Sequence, residues 1–170
     1  MEKETEIKFK INKTFLKKLK KIKMKPYKEE DEYFFTQKMI DEDTYLRFRK
    51  KHGKIFLNLK DITKGTKQTK DCYEANECAV EITSEQCKQM KKMFEVTFPV
   101  RIKVKKIRHK GFLDGCEICY DVVEGLGIFL EIEGKREKIL KLCKQFNLNL
   151  EKRDMKSGYA KMTLKKEGFI

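Results

Sequence analysis

Hydrophobic and polar residues alternate at the start of the chain with the two-residue period of a β-strand. Over residues 4–11 the alternation places Ile7, Phe9 and Ile11 on one face. The other face carries four charged side chains, Glu4, Glu6, Lys8 and Lys10. The pattern predicts a strand that buries its apolar face and holds two carboxylates and two ammonium groups on the other.

The same period recurs along the chain and predicts further strands. They are expected at residues 45–49, 55–60, 70–82, 100–109, 117–123 and 128–133, with a strand beginning at Tyr33 and a short last one over 159–164. Charged residues again share faces in these strands: Arg47 with Arg49, Lys106 with Arg108, and Glu131 with Glu133.

A helical period of apolar residues predicts three helices. The first follows Asn12 as its N-cap and is expected to end at Pro26 and the acidic residues 29–32. The second covers Thr83 to Phe94 and opens with a capping box, and the third covers residues 135–146. Residues 61–69, rich in Lys, Thr and Gly, are the expected mobile loop.

Short turns join most of the predicted strands, so the sheet is expected to be antiparallel. About eight strands are enough to close a barrel. The sequence therefore predicts an α+β fold in which a closed or nearly closed β-barrel has helices packed outside. At 170 residues the whole chain, 1–170, is expected to form one domain.

Composition narrows the classes of partner. The formal net charge is +14, which favours a polyanion: a nucleic acid, an anionic membrane surface or a phosphate-rich small molecule. No apolar run approaches the roughly 18 residues of a membrane span, and the acidic start MEKETE is unlike a secretory signal. These features predict a soluble, cytoplasmic protein that does not bind membranes.

The charged faces acquire a chemical use if they point into the barrel. The lumen would then hold Glu4, Glu6, Glu74, Asp121, Glu131 and Glu133 beside Lys8, Arg47, Arg49, Lys60, Lys106 and Arg108. Charges of one sign would strongly destabilise the fold there, because burial of each unpaired charge costs several kcal/mol of folding free energy. With both signs present, the basic groups can grip a polyphosphate while the carboxylates offer hard oxygen ligands to a divalent metal.

At this point the sequence resembles a known family, the CYTH superfamily of triphosphate tunnel metalloenzymes. The resemblance is carried by Glu4-x-Glu6-x-Lys8, Asp31-x-Tyr33-Phe34, Leu46-Arg47-x-Arg49, Lys60, Lys106-x-Arg108, and Asp121 followed by Gly125-Leu126-Gly127-x-Phe129-x-Glu131-x-Glu133. It runs from residue 4 to about 133 and looks closest to the class IV adenylyl cyclase branch. The family implies a β-barrel tunnel that binds a triphosphate with Mg²⁺ or Mn²⁺.

The resemblance also implies roles for individual residues. Metal ligands are expected at Glu4, Glu6, Asp121, Glu131 and Glu133. Phosphates are expected on Lys8, Arg47, Arg49, Lys60, Lys106 and Arg108. The central catalytic group is expected to be Glu4, Glu6, Lys8 and Glu131, with Glu74 as a further tunnel residue.

Two reactions are compatible with such a site. The first is that of an adenylyl cyclase, which converts ATP to cyclic AMP and pyrophosphate. The alternative is a triphosphatase that hydrolyses thiamine triphosphate, tripolyphosphate or a nucleoside triphosphate, and the paired Glu131-x-Glu133 leans towards it. A non-enzymatic nucleic-acid binder is the third hypothesis, favoured by the net charge. The carboxylates on the same strand faces as the basic residues argue against this third hypothesis, because they would repel a nucleic acid. The sequence leaves the oligomeric state open, with a homodimer as one possibility.

Overall fold

A computed structural model describes residues 2–61, 72–153 and 158–170; for residues 2, 3, 73 and 74 it describes only the backbone. The strands are β1 (Glu2–Ile11), β2 (Lys25–Phe35), β3 (Thr44–Lys51), β4 (Lys54–Asp61), β5 (Tyr73–Ile82), β6 (Val100–Leu113), β7 (Cys116–Val123) and β8 (Gly127–Glu133). The α-helices are α1 (Leu16–Leu19), α2 (Gln37–Asp41), α3 (Ser84–Thr97), α4 (Arg136–Gln145) and α5 (Tyr159–Lys166), with a 3-10 helix at Leu150–Lys152.

The described strands form a closed, antiparallel barrel in the order β1-β5-β4-β3-β2-β6-β7-β8. The first strand closes the barrel, because β1 pairs with β5 along one edge and with β8 along the other. The predicted fold class is therefore confirmed. In the described ranges no helix is both long and apolar enough to cross a bilayer.

Alternation along the strands separates an apolar outer face from a polar lumen. On the outside, Ile7, Leu130 and Ile132 belong to a buried core that α4 covers with Ile139 and Leu142. A second outer core forms where α3 covers β2 and β3, around Phe34, Phe48 and Cys87. The helix α3 starts at the predicted Thr83–Gln86 capping box. Burial of these outer faces fixes which residues turn inward.

One region of the lumen is filled by aromatic and aliphatic side chains instead of charges. Tyr33, Val123 and Phe129 point inward from three strands and pack with Tyr159 and Leu164 of α5. The fifth helix thus contributes to the barrel interior, whereas the sequence predicted helices only on the outside.

Three predicted elements were wrong. The first helix is only the single turn α1 and ends at Leu19, well before Pro26. The second strand begins at Lys25, not at Tyr33, and it runs through Pro26 and the acidic residues 29–32. Proline is tolerated at this place because β2 pairs only with β6 there; its pairing with β3 begins at Glu29. The last element is helical, and its buried residues Tyr159, Ala160, Thr163 and Leu164 have the spacing of one helix face. The predicted loop at 61–69 lies almost wholly outside the described residues.

Candidate functional site

The lumen contains a cavity of about 240 Å³ lined almost entirely by charged and phenolic side chains. Eight basic and seven acidic side chains line it, together with four tyrosines and Gly158. Ten of the predicted site residues are among them: Glu4, Glu6, Lys8, Arg47, Arg49, Lys60, Lys106, Arg108, Glu131 and Glu133. The structure therefore brings together predicted acids and bases from five strands, β1, β3, β4, β6 and β8, that are distant in sequence.

Strand register positions these groups, since residues directly opposite each other in neighbouring strands share a face. The inward-facing pairs are Lys8 with Glu131, Glu6 with Glu133, Asp31 with Arg49, Tyr33 with Arg47, Glu29 with Lys106, Lys60 with Glu77, and Arg108 with Asp121. Opposite charges thus meet in most of the pairs. A shift of one residue in any strand would turn its charged row outwards.

Asp31 holds both arginines of β3. Its carboxylate accepts hydrogen bonds from Arg49 Nε at 2.7 Å and Arg49 NH2 at 2.8 Å, and Arg47 NH1 lies 3.8 Å away. Burial disfavours the charged carboxylate, but the two guanidinium groups outweigh burial and hold the pKa of Asp31 well below its usual value. Asp31 therefore fixes two predicted phosphate-binding residues while it stays ionised.

Glu29 provides a second buried carboxylate for the same cations. Lys106 Nζ lies 2.7 Å and Arg49 NH2 3.0 Å from Glu29 Oε1. Burial alone would raise its pKa, yet Lys106 and Arg49 lower the pKa of Glu29 to about 2. Neither contact has the geometry of a good hydrogen bond, and both oxygens of Glu29 lack one among the described residues. The two cations are thus neutralised but not firmly bonded at this carboxylate.

Glu131 joins the first strand to the sixth. Its carboxylate lies 3.0 Å from Lys8 Nζ and also accepts a hydrogen bond from Arg108. Burial disfavours the charged form of both Glu131 and Lys8. Arg108 and Lys8 nevertheless lower the pKa of Glu131, and Glu131 and Glu6 raise the pKa of Lys8. Both groups are therefore charged at neutral pH.

Asp121 lies behind this pair and does not line the cavity. It is fully buried, and its carboxylate accepts hydrogen bonds from Arg108 Nε at 2.8 Å, Arg108 NH2 at 2.7 Å and the Tyr159 hydroxyl at 2.9 Å. The Tyr159 ring in turn stands over the ammonium groups of Lys8, at 4.2 Å, and Lys106, at 5.0 Å. Asp121 and Glu131 thus share Arg108 as a partner, and the role of Asp121 as a metal ligand stays a prediction.

The remaining predicted cation, Lys60, lies among three carboxylates. Its Nζ is 3.0 Å from Glu4, 3.7 Å from Glu77 and 4.0 Å from Glu6. Glu77 also accepts hydrogen bonds from Arg47 NH2 at 3.1 Å and Asn58 at 2.8 Å. Each predicted phosphate-binding cation therefore lies within 4.0 Å of at least one carboxylate oxygen.

Glu133 belongs to the acidic part of the cavity. Burial and the neighbouring carboxylates of Glu4, Glu117 and Glu6 raise its pKa to about 7. In the described part of the chain no three acidic, His or Cys side chains already stand as a metal-ion cluster. The donor set nevertheless fits a hard divalent cation, because crowded carboxylate oxygens repel one another until a cation lies between them.

Replacing Glu133 tests this crowding. A carboxyl whose pKa is raised on folding destabilises the folded protein as pH rises from about 4.5 to 7, so Glu133→Gln is expected to stabilise the metal-free protein at pH 8. The gain should be about 1 kcal/mol after allowance for solvent screening at this partly buried side chain, and it should vanish near pH 4.5. Urea unfolding at the two pH values measures it. A destabilised variant at pH 8 would contradict the crowding.

Several cavity residues were missed by sequence reasoning. Glu29, Glu77 and Tyr159 line the cavity, and Asp31 lies directly behind the arginines. Tyr27, Glu29, Asp31 and Tyr33 recur at every second position and share one strand face, but the helix assumed to end at Pro26 and residues 29–32 hid this signal. The side chain of Glu74, which was predicted to face the tunnel, lies outside the described part of the structure; Glu77 of the same strand reaches the cavity.

The family profile of the CYTH domain matches residues 2–161, nearly the whole chain. The chain belongs to the CYTH family. Family membership implies an enzyme of the triphosphate tunnel kind that depends on a divalent metal. By sequence the CYTH domain matches no curated protein.

Solved structures share the fold of this CYTH domain. A conserved hypothetical protein from Pyrococcus furiosus is 28% identical, with a TM-score of 0.73 over 91% of this chain and 96% of that one. The PH1819 protein from Pyrococcus horikoshii is 24% identical, with a TM-score of 0.75 over 96% and 99%. The adenylyl cyclase candidate HpAC1 from Hippeastrum, reported to have a dominant triphosphatase activity, is 16% identical, with a TM-score of 0.67 over 97% and 96%.

Proposed function

We propose that this CYTH domain is a divalent-metal-dependent enzyme that acts on a triphosphate inside the barrel, and that hydrolysis of the triphosphate is its main reaction. The observation that carries the proposal is the cavity, in which six predicted phosphate-binding cations converge with the carboxylates of Glu4, Glu6, Glu131 and Glu133. Phosphoryl transfer asks a protein mainly to position the reactants and to neutralise charge, and this site offers both.

Binding is an exchange of partners. Without a ligand, the lysines and arginines neutralise carboxylates, as Lys60 does for Glu4 and Lys8 does for Glu131. A triphosphate would take over the cations, and the carboxylates thus released would hold Mg²⁺ or Mn²⁺. The metal supplies charge stabilisation at the phosphate oxygens. The arginines, held in place by Asp31 and Asp121, orient the triphosphate for attack.

The size and lining of the cavity favour hydrolysis. At about 240 Å³ it lies below the roughly 300–1,000 Å³ of typical ligand pockets, and its lining is charged or phenolic throughout. A compact polyphosphate suits such a space. In hydrolysis, water attacks the terminal phosphorus, the bond to the bridging oxygen breaks and orthophosphate leaves.

Cyclisation of ATP is the second candidate. The four tyrosines of the lining, Tyr27, Tyr33, Tyr45 and Tyr159, offer aromatic faces that a nucleobase could contact. In this reaction the ribose 3′-oxygen attacks the α-phosphorus and pyrophosphate leaves. The two reactions therefore differ in which phosphorus lies beside the carboxylates of the cavity.

Product analysis tests the proposal. The purified protein is incubated with tripolyphosphate, thiamine triphosphate and ATP, with Mg²⁺ or Mn²⁺, and the phosphorus-containing products are resolved by ³¹P NMR. We expect orthophosphate from tripolyphosphate, and much less of it from Glu131→Gln at the same metal concentration. Cyclic AMP and pyrophosphate without orthophosphate would reject hydrolysis in favour of cyclisation. No turnover of any substrate with either metal would overturn the enzymatic proposal.

A further inference from the structure

A second cavity, of about 250 Å³, lies on the outside of the barrel wall. We call it the outer cavity; it is lined by Glu30, Asp31, Glu32, Phe48, Lys50, Lys91, Lys103 and Lys105. It lies on β2, β3 and β6, with Lys91 contributed by α3. Its floor includes Phe48, which is only 2% exposed. The outer cavity is as large as the one in the lumen and is separated from it by the thickness of the sheet.

Positive charge exceeds negative charge in the outer cavity. Four lysines face two carboxylates, because the Asp31 carboxylate points into the barrel and bonds to Arg49. Glu32 is the buried centre, at 8% exposure. Its carboxylate is hydrogen-bonded by Lys91 and lies 3.7 Å from Arg101 and 4.0 Å from Lys103. Several cations thus already converge on one carboxylate.

Two further lysines of the outer cavity, Lys50 and Lys105, have a single carboxylate, that of Glu30, opposite both of them. Lys50 and Lys105 stand directly across from Glu30 on either side of β2. Among the described residues, the ion pairs of the outer cavity are those of Glu32 with Lys91, Arg101 and Lys103, and neither Lys50 nor Lys105 takes part in them. An exposed lysine on a flat sheet needs no partner, but these two border a concave space with an apolar floor. Such a space weakens screening by water and strengthens attraction for an anion.

We propose that the outer cavity is a second anion site that binds a small phosphate-bearing ligand, such as pyrophosphate or tripolyphosphate. Lysine ammonium groups bind phosphate as point charges and need no fixed fork geometry. The described lining offers no acidic cluster for a metal, so this binding is expected to be independent of divalent cations. The proposal does not depend on the reaction in the lumen, because alternate residues of the same strands form the two sites.

Calorimetric titration with inorganic tripolyphosphate tests the outer cavity. The full chain is titrated at low ionic strength without divalent metal, so that the proposed hydrolysis does not run, and is compared with Lys50→Gln/Lys105→Gln. The matched control is Lys17→Gln/Lys20→Gln, which removes the same charge from exposed positions on and beside α1. Because all four positions are exposed, the variants are expected to keep the thermal stability of the unmodified protein.

The expected result is a second molar equivalent of tripolyphosphate that binds without Mg²⁺. Its affinity should fall about tenfold or more in Lys50→Gln/Lys105→Gln and stay within about twofold in the control. An equal fall in both variants would show attraction by net charge alone and would overturn the proposal. A single equivalent in the unmodified protein, or binding of duplex DNA without binding of tripolyphosphate, would overturn it too.

Discussion

Asp31→Asn is expected to lower the free energy of unfolding by about 3–5 kcal/mol. The side chain is 1% exposed and is the bidentate partner of Arg49. Asparagine keeps the shape but removes the negative charge, so Arg47 and Arg49 would stay buried with Glu29 and Glu77 as their remaining carboxylate partners. Removal of one partner from a buried ion pair is costly because the other charge keeps its desolvation penalty.

Urea unfolding at pH 7 measures this loss. Because the pKa of Asp31 is lowered on folding, its contribution is present above the unfolded pKa of about 3.9 and fades only at strongly acidic pH. Glu81→Gln is the matched control: its partner Lys54 lies 2.8 Å away, both side chains are more than half exposed, and the pair should contribute about 0–1 kcal/mol. A loss of the same size as in Glu81→Gln would show that Asp31 does not hold the arginines.

Asp121→Asn is expected to lower kcat/KM for the triphosphate by about 100-fold without changing the metal concentration that gives half-maximal rate. The carboxylate orients Arg108 through two hydrogen bonds and holds Tyr159 through a third. Misplacement of a substrate-positioning group by about 1 Å is enough for a loss of this size. Tripolyphosphate affinity, measured by calorimetry, should fall as well, so the prediction does not rest on turnover alone.

Glu131→Gln is the comparison for Asp121→Asn. Glu131 lines the cavity and is a predicted metal ligand, so its replacement should raise the metal concentration required. Tyr159→Phe keeps the ring over Lys8 and removes only the hydroxyl bonded to Asp121. The loss of this hydrogen bond should lower the free energy of unfolding by about 1 kcal/mol. If Asp121→Asn raised the metal requirement as Glu131→Gln does, Asp121 would be a ligand after all.

The barrel and most of its charged rows could be predicted from the sequence because one face of those strands is apolar. In β1 and β8 the residues Ile7, Phe9 and Ile132 enter an outer core, and this burial forces Glu6 and Glu131 inward. The alternation of apolar and charged residues thus determines how neighbouring strands pair, and this pairing determines which charged side chains meet in the lumen.

The second strand lacks that signal, since both of its faces are charged over residues 28–32. Glu29 and Asp31 face the lumen, while Glu30 and Glu32 face the outer cavity, so no apolar period marks a strand. The position of Tyr159 was missed for a different reason. The position of α5 is set by the packing of its apolar side chains against residues of the lumen. The local pattern of apolar and polar residues in the sequence does not encode such a distant contact.

Anomalous diffraction from crystals grown with Mn²⁺ and tripolyphosphate would test the central claim most directly. We predict a manganese peak inside the barrel beside the carboxylates of Glu4, Glu6, Glu131 or Glu133. Density for the tripolyphosphate should lie against Arg47 and Arg49. Manganese bound only on the outer surface, with every lumen cation still paired to its carboxylate, would contradict the account.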